Sequence, residues 1–450
     1  MKLIPVINKL PNDNIYQFTF EAIMKQSGAC LCSLIDAYKL NSEIIDPMQS
    51  FMVFLRKLKK ELIDPYSGDL YIDSGGYSFI KGTLNENDIG LMIDNYCYYL
   101  ETARNDYRYI FSLDMPWNIQ YPKYNTKEKV HYYNQWSLKR SFTVFEKYPS
   151  IADKFFFIWQ FRKKNQYQIW NNLYSELVEK GLHKLISCRS IGGMVGIHAA
   201  LDIKFAPFIP LVFRCFNDYL NAAVFTKDFR IHLLGVYLGY DRFVIAILEI
   251  LFKKYLEKAG IATKVQITYD SINYLVSTIL NSKKLAGYDY EGQENIIRWE
   301  HVGTVPEKLL KQIYTNPEHY DIIIDAIDQV KRDKKIQNGP AQFSPLNIHT
   351  FNSLDKYFEY IVKEYQFADI FFTSKIEFKL AYEVNEKFKV LQNKSRDIFT
   401  DNFIESVQES IEIIFRMHKW YNDEYADEAM LHKLICLYRD KLIADSDELT

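Results

Sequence analysis

The chain has 450 residues, 48% hydrophobic and 25% charged, a balance that excludes a disordered or fibrous protein and leaves room for one large domain plus a second, or for two to three small ones. Lys and Arg number 55 against 57 Asp and Glu, so net charge provides no attraction to a nucleic acid; such a partner needs a local basic patch. No stretch approaches the roughly 18 uninterrupted apolar residues of a membrane span, and the first ten residues lack a secretory apolar core.

Short apolar runs recur through the first two thirds of the chain, at residues 3–7, 29–34, 70–72, 109–113, 155–159, 185–188, 231–236 and 265–269. Their length and composition predict buried strands. Between them lie stretches with helical spacing. Over 88–104, Ile89, Met92, Ile93, Tyr96 and Leu100 recur at helical intervals; over 243–258 the pattern is clearer, with Asp241 expected as N-cap and Gly260 as the stop. Strand then helix, about eight times over, predicts an α/β fold, a closed parallel (β/α)8 TIM barrel, in a catalytic domain over 1–290. An open doubly wound sheet is the alternative, weakened by the lack of a GxGxxG fingerprint after an early strand.

Beyond the barrel the character changes. Residues 281–305 read as loop, with Gly287 and Gly292. A connecting segment is expected over 291–345, helical at 306–331 but interrupted at Asn316-Pro317, with a break at Gln337-Asn338-Gly339-Pro340. A helical region follows over 346–450; its stretch 354–442 contains neither Gly nor Pro. The six cysteines mostly sit in apolar runs and read as small buried hydrophobes, which suits a reducing, cytoplasmic location. No metal or cofactor is expected. The many Tyr and Phe side chains are read as core before base-stacking platforms.

Three of the runs end on an aspartate: Leu70-Tyr71-Ile72-Asp73, Tyr109-Ile110-Phe111-Ser112-Leu113-Asp114 and Val265-Gln266-Ile267-Thr268-Tyr269-Asp270. A carboxylate is costly inside a buried strand, but at its end it stands where the strand emerges. The fifth run leads into Gln160, the sixth into Gly192-Gly193, and the seventh contains Gly235. In a barrel these residues gather at one mouth, where such folds do their chemistry. The donors and acceptors suit guanine. One Asp can face the N1–H and N2–H donors while the Gln amide and a glycine N–H face O6. Two aspartates then remain, one to attack C1′ of a sugar and one to move a proton to and from the base. Each residue also has a plain alternative: Asp73-Ser74-Gly75-Gly76 as a turn, Asp114 and Gln160 as loop partners, Asp270-Ser271 as the cap of a helix over 272–280.

The ordered set Asp73-Ser74-Gly75-Gly76-Tyr77, Ser112-Leu113-Asp114, Gln160, Ile191-Gly192-Gly193-Met194-Val195-Gly196, Leu233-Leu234-Gly235-Val236 and Tyr269-Asp270-Ser271 resembles the queuine/archaeosine tRNA-guanine transglycosylase family. The resemblance covers under half of the chain. It implies a (β/α)8 barrel that exchanges a guanine in a polynucleotide for a 7-deazaguanine base without cutting the strand. It implies Asp270 as the nucleophile, Asp73 as the general acid/base, and Asp114, Gln160 and Gly193 as the residues that hold the base. Ser74, Gly75, Gly192 and Gly235 fall within the matching motifs, and Met194, Val195 and Leu234 fall at the pocket walls. Two departures stand out. The family's Cys-x-Cys-x-x-Cys…His zinc site after the nucleophile is missing, since no Cys occurs between Cys215 and Cys436, and Ser271-Ile272-Asn273-Tyr274 replaces the tRNA-type sequence. Both fall where a tRNA-specific surface would be built. The resemblance therefore implies a divergent branch like the DNA-guanine transglycosylases, with DNA favoured over tRNA as partner and a free 7-deazaguanine base as co-substrate.

Two other classes are open: a barrel glycoside or nucleoside hydrolase using the same carboxylates, and a nucleic-acid-binding module without turnover. Arg162-Lys163-Lys164, just after Gln160, is a candidate phosphate contact or an ordinary solvated loop. Lys57-Leu58-Lys59-Lys60 and Lys331-Arg332-Asp333-Lys334-Lys335 read as exposed helix faces, and His198, past the Gly-Gly turn, reads as structural.

Overall fold

A computed structural model describes residues 1–7, 14–34, 47–75, 86–115, 126–160, 164–186, 188–194, 205–222, 227–236, 238–271, 286–332, 343–423 and 427–442. Eight strands form one parallel sheet: β1 (Lys2–Pro5), β2 (Ala29–Ser33), β3 (Asp69–Asp73), β4 (Tyr109–Phe111), β5 (Phe155–Gln160), β6 (Cys188–Gly192), β7 (Phe229–Leu233) and β8 (Val265–Ser271). Neighbours in sequence are neighbours in space, and β8 pairs with β1 in register Ile4↔Asp270. The remaining seam is short. Val6 bridges Leu31, and the Ile7 N–H donates to the Leu31 carbonyl at 2.7 Å. The result is the expected (β/α)8 barrel.

The outer layer holds α1 (Asn14–Ser27), α2 (Pro47–Leu58), α3 (Glu86–Thr102), α4 (Lys127–Lys147), α5 (Lys164–Glu179), α6 (Ile209–Asn221) and α7 (Gly239–Lys258). Trp159, Phe157 and Phe155 of β5 point outward into the strand–helix core, while Phe156 and Ile158 join a separate cluster inside the barrel with Ile4, Ala29, Leu31, Tyr71, Tyr109, Phe111 and Cys188. A strand buried on both faces needs apolar residues at both parities, which is why these strands read as continuous runs rather than alternating ones.

Several expected boundaries shift for physical reasons. β6 starts three residues later than the run 185–188 suggested. Leu185 closes a 3-10 turn and is 40% exposed, and the strand instead carries Arg189. That buried guanidinium donates through its two terminal nitrogens to the carbonyls of Ile186 and Cys188 and to the Tyr174 hydroxyl, which offsets part of the cost of burying the charge, while its Nε has no hydrogen-bond partner among the described residues. β7 stops at Leu233 because Gly235 turns the chain away in a left-handed conformation (φ +87°). Asp241 is not the N-cap of α7. It lies inside the first turn, where its carboxylate accepts the Phe205 N–H at 3.2 Å; Gly260 does end the helix at φ +68°. The stretch expected as loop over 281–305 holds an antiparallel hairpin, β9 (Gly287–Gly292) and β10 (Asn295–Trp299).

The rest of the chain packs on the barrel. Helices α8 (Glu307–Ile313) and α9 (Pro317–Arg332), divided at the expected Asn-Pro step, share a small core with Trp299, Phe343, Leu346 and Ala22 of α1. Helix α10 (Ser344–Glu364) packs against α7, α1 and β1. It thereby takes the outer-layer place between the last and first barrel helices. The short α11 (Ile370–Thr373), then α12 (Glu377–Lys394), α13 (Asp401–Tyr421) and α14 (Glu428–Leu442), complete the chain. Phe243 of α7 is ringed by Phe358, Phe367, Phe388, Phe399 and Phe403, so the helical region and the barrel share one hydrophobic core. Among the described residues no helix is long and apolar enough to cross a membrane.

Candidate active site

Strand pleating decides what reaches the barrel interior. Alternate residues of β3 (Tyr71, Asp73), β5 (Phe156, Ile158, Gln160), β6 (Cys188, Ser190, Gly192), β7 (His232) and β8 (Thr268, Asp270) share the inward parity. Tyr71, Tyr109, Phe111 and Phe156 form an aromatic floor, with Phe111 stacked on Phe156 at 4.9 Å between centroids. Above that floor, at the C-terminal ends of the strands, stand the polar residues. The mouth is thus a polar cup over an aromatic plug.

Asp114 sits just past β4 and is buried, with both carboxylate oxygens engaged. The Ser74 hydroxyl donates to Oδ1 and the Gln160 amide nitrogen donates to Oδ2. Burial raises its pKa, and these two hydrogen bonds oppose the rise. The Gln160 amide in turn needs Gly192 beside it in register. A Cβ there would meet the amide nitrogen at 2.6 Å, so this glycine makes room for the Gln160 side chain. Gly193 follows in a left-handed conformation (φ +97°), and Met194 is buried behind it.

Asp73 ends β3 and is partly open to the mouth. Its Oδ2 accepts the Gly75 N–H at 3.0 Å, a tight turn that Gly75 permits at φ +80°. The Asp73 carboxyl is pushed up to about 8, by desolvation first and then by the negative charges of Asp114 and Asp270, against hydrogen bonds from the Gly75 and Ser74 backbone. Asp73, Asp114 and Asp270 stand at or just past the C-terminal ends of the parallel strands β3, β4 and β8, on one rim of the barrel. Asp270 is 15% exposed at the side chain, and its Oδ1 accepts the Gly235 N–H at 2.9 Å. Leu234 packs against the interior apolar cluster beside it.

Other residues hold this geometry and were not anticipated. His232, fully buried, places Nε2 3.4 Å from Asp270 Oδ1 and Nδ1 2.8 Å from the Thr268 hydroxyl. Asn134 of α4 clamps the chain just after Asp114: it accepts the Met115 N–H at 2.9 Å and donates to the Met115 and Val130 carbonyls. The signal for Asn134 was present, since it lies among Val130, Ser137, Leu138 and Ser141 on the buried face of its helix. Asp355 of α10 lies far off in sequence. It accepts the Tyr269 hydroxyl at 2.6 Å and pairs with Arg242 at 3.0 Å, anchoring the residue before Asp270 from behind.

Of the other residues singled out, Gly76, Tyr77, Arg162, Lys163, Val195, Gly196, His198 and 272–280 lie outside the described residues. Lys57 and Lys60 are exposed, as expected, but they precede β3 and so stand at the rim opposite the carboxylates. The six cysteines are free thiols, and among the described residues no group of His, Cys, Asp or Glu could hold a metal ion. No protein-family model matches the chain, and no curated protein matches it in sequence.

Proposed function

We propose that the protein is a base-exchange enzyme that replaces guanine in a polynucleotide, with DNA favoured over tRNA, by a free 7-deazaguanine base. The observation that carries this reading is the division of labour among three aspartates in one mouth. Asp114 is braced at both oxygens by Ser74 and Gln160, Asp270 is held at one oxygen, and Asp73 is held largely protonated near neutral pH.

Each arrangement suits one task. The braced Asp114 keeps lone pairs for the N1–H and N2–H of guanine, and the second hydrogen of the Gln160 amide is available to O6. The target nucleoside must leave the stack, because C1′ and the base edge both enter the cup. Asp270 attacks C1′, the C1′–N9 electron pair leaves with guanine, and the departing base takes the Asp73 proton. The incoming base then attacks C1′ through N9, its N9 proton passes to the Asp73 carboxylate, and the carboxylate of Asp270 departs. The aromatic floor of Tyr71, Phe111 and Phe156 excludes water from below.

The test is incubation with labelled guanine and separate DNA and tRNA pools. The expected result is label in DNA and a covalent polynucleotide adduct, both abolished by Asp270→Ala, while Asp114→Ala mainly weakens base recognition. Label in tRNA alone reverses the substrate preference. Full exchange by Asp270→Ala refutes the mechanism, and hydrolysis of simple glycosides without base exchange replaces it with a glycosidase.

A further inference from the structure

His232 lies in the barrel interior with no exposed surface and is caged by rings. Its imidazole meets Phe111 edge-on at 4.9 Å between centroids, Phe156 at 6.1 Å and Tyr71 at 6.2 Å. A polar ring in such a cage must satisfy both nitrogens from the few polar atoms present. Those atoms are the Thr268 hydroxyl at 2.8 Å from Nδ1 and Asp270 Oδ1 at 3.4 Å from Nε2. The two contacts select a tautomer. A lone pair on Nε2 would face the carboxylate oxygen, so Nε2 carries the hydrogen and Nδ1 accepts the Thr268 hydroxyl. The hydroxyl's other acceptor, the Ile231 carbonyl at 3.5 Å, is the poorer one.

Oδ1 of Asp270 therefore receives two donors, His232 Nε2–H and the Gly235 N–H at 2.9 Å. Among the described residues no donor reaches Oδ2. We infer that His232 is a positioning residue that dedicates Oδ1 of Asp270 to the protein and leaves Oδ2 as the atom that bonds to C1′, an inference that rests on the base-exchange reading. The consequence lies in the second half of the reaction. Once Oδ2 has formed the ester, Oδ1 is its carbonyl oxygen. When the incoming base attacks C1′ and the C1′–Oδ2 pair returns to the carboxylate, negative charge returns to Oδ1 as well. Donors fixed there stabilise the departing carboxylate and speed resolution of the covalent intermediate.

Single-turnover reactions resolve the two halves. Adduct is formed on the preferred polynucleotide, then discharged by adding free guanine. His232→Phe keeps the ring volume but has no donor; its adduct should discharge roughly tenfold more slowly and accumulate at steady state, while formation changes less. His232→Gln, whose amide nitrogen can reach the Nε2 position, should recover most of the loss. Equal discharge rates in wild type and His232→Phe, or no advantage of Gln over Phe in variants with wild-type melting and near-ultraviolet dichroism, overturn the inference. Nitrogen-15 shifts of the His232 ring in the wild-type protein provide a second reading that survives a variant that misfolds. A protonated Nε2 with a bare Nδ1 is expected, and the opposite tautomer overturns the contact. If wild type forms no adduct on DNA or tRNA, the base-exchange reading fails and takes the catalytic part of this inference with it. Failure of the inference alone shows instead as a normal wild-type adduct whose discharge ignores residue 232.

Discussion

Gly192→Ala tests whether base recognition depends on room for one amide. The new Cβ would lie 2.6 Å from the Gln160 amide nitrogen, 2.9 Å from its Cδ and 3.0 Å from its Oε1. Ordinary contact begins near 3.4 Å, so Gln160 must move by most of an ångström. The side chain is only 7% exposed and held between β6 and Asp114, so moving it strains its surroundings. Overpacking of this kind costs about 1–3 kcal/mol. Losing the hydrogen bond to Asp114 costs about 1.5–3 kcal/mol more if that carboxylate is charged. Urea unfolding of wild type, Gly192→Ala, Gln160→Ala and the double variant forms a thermodynamic cycle. With Gln160 already truncated the methyl has nothing to displace, so Gly192→Ala should cost much less in that background. Additive costs in the cycle would show that the methyl does not act through Gln160, and the argument about the base pocket would fall with it. In the exchange assay the same variant should raise KM for the free base more than it lowers kcat.

Asp73 gives a pH signature of definite sign. Its folded pKa of about 8 lies above the ordinary 3.8, so between those values the folded protein holds a proton that the unfolded chain has released. Stability contributed by that proton is intact at low pH and declines as pH rises toward 8. Asp73→Asn should therefore gain stability relative to wild type across that window and track it above, as urea midpoints at several pH values will show; a constant difference contradicts the assignment. Exchange by wild type should fall as pH rises through about 8, where the acid that protonates the leaving base is lost, and Asp73→Asn should be slow without that break. Asp355→Ala strips Arg242 and the Tyr269 hydroxyl of their buried partner. Removing one member of a buried pair costs about 3–5 kcal/mol, which denaturant unfolding will register, and exchange should fall because Tyr269 precedes Asp270.

The barrel was legible because eight apolar runs separated by helical spacings leave few other ways to bury both faces of each strand. The rim was legible too, since a carboxylate at the end of a buried run has one inexpensive place to go. Asp73, Asp114 and Asp270 are found there, and Gln160 reaches Asp114. The boundary of β6 was less legible: Arg189 looks like a loop residue until Tyr174 and two carbonyls are seen to accept from its terminal nitrogens. The hairpin Gly287–Gly292 with Asn295–Trp299 was also missed, because its short strands mix Tyr, Ile and Trp with Gly, Asp, Glu, Asn and Arg and are mostly half-exposed or exposed, so they carry no continuous buried run to read.

Sequence by itself determined that eight buried strands build a parallel barrel and the parity that sends Asp73, Gln160 and Asp270 inward, because these follow from local hydrophobicity and the two-residue period of a strand. Only the tertiary structure decided which atoms those carboxylates touch. That His232 and the Gly235 N–H share one oxygen of Asp270, that Gly192 exists to admit an amide, and that Asp355, 85 residues beyond Asp270, braces the strand behind it depend on contacts between distant parts of the chain. Such contacts are set by strand register and helix packing around a closed barrel, and no local pattern of residue types encodes them.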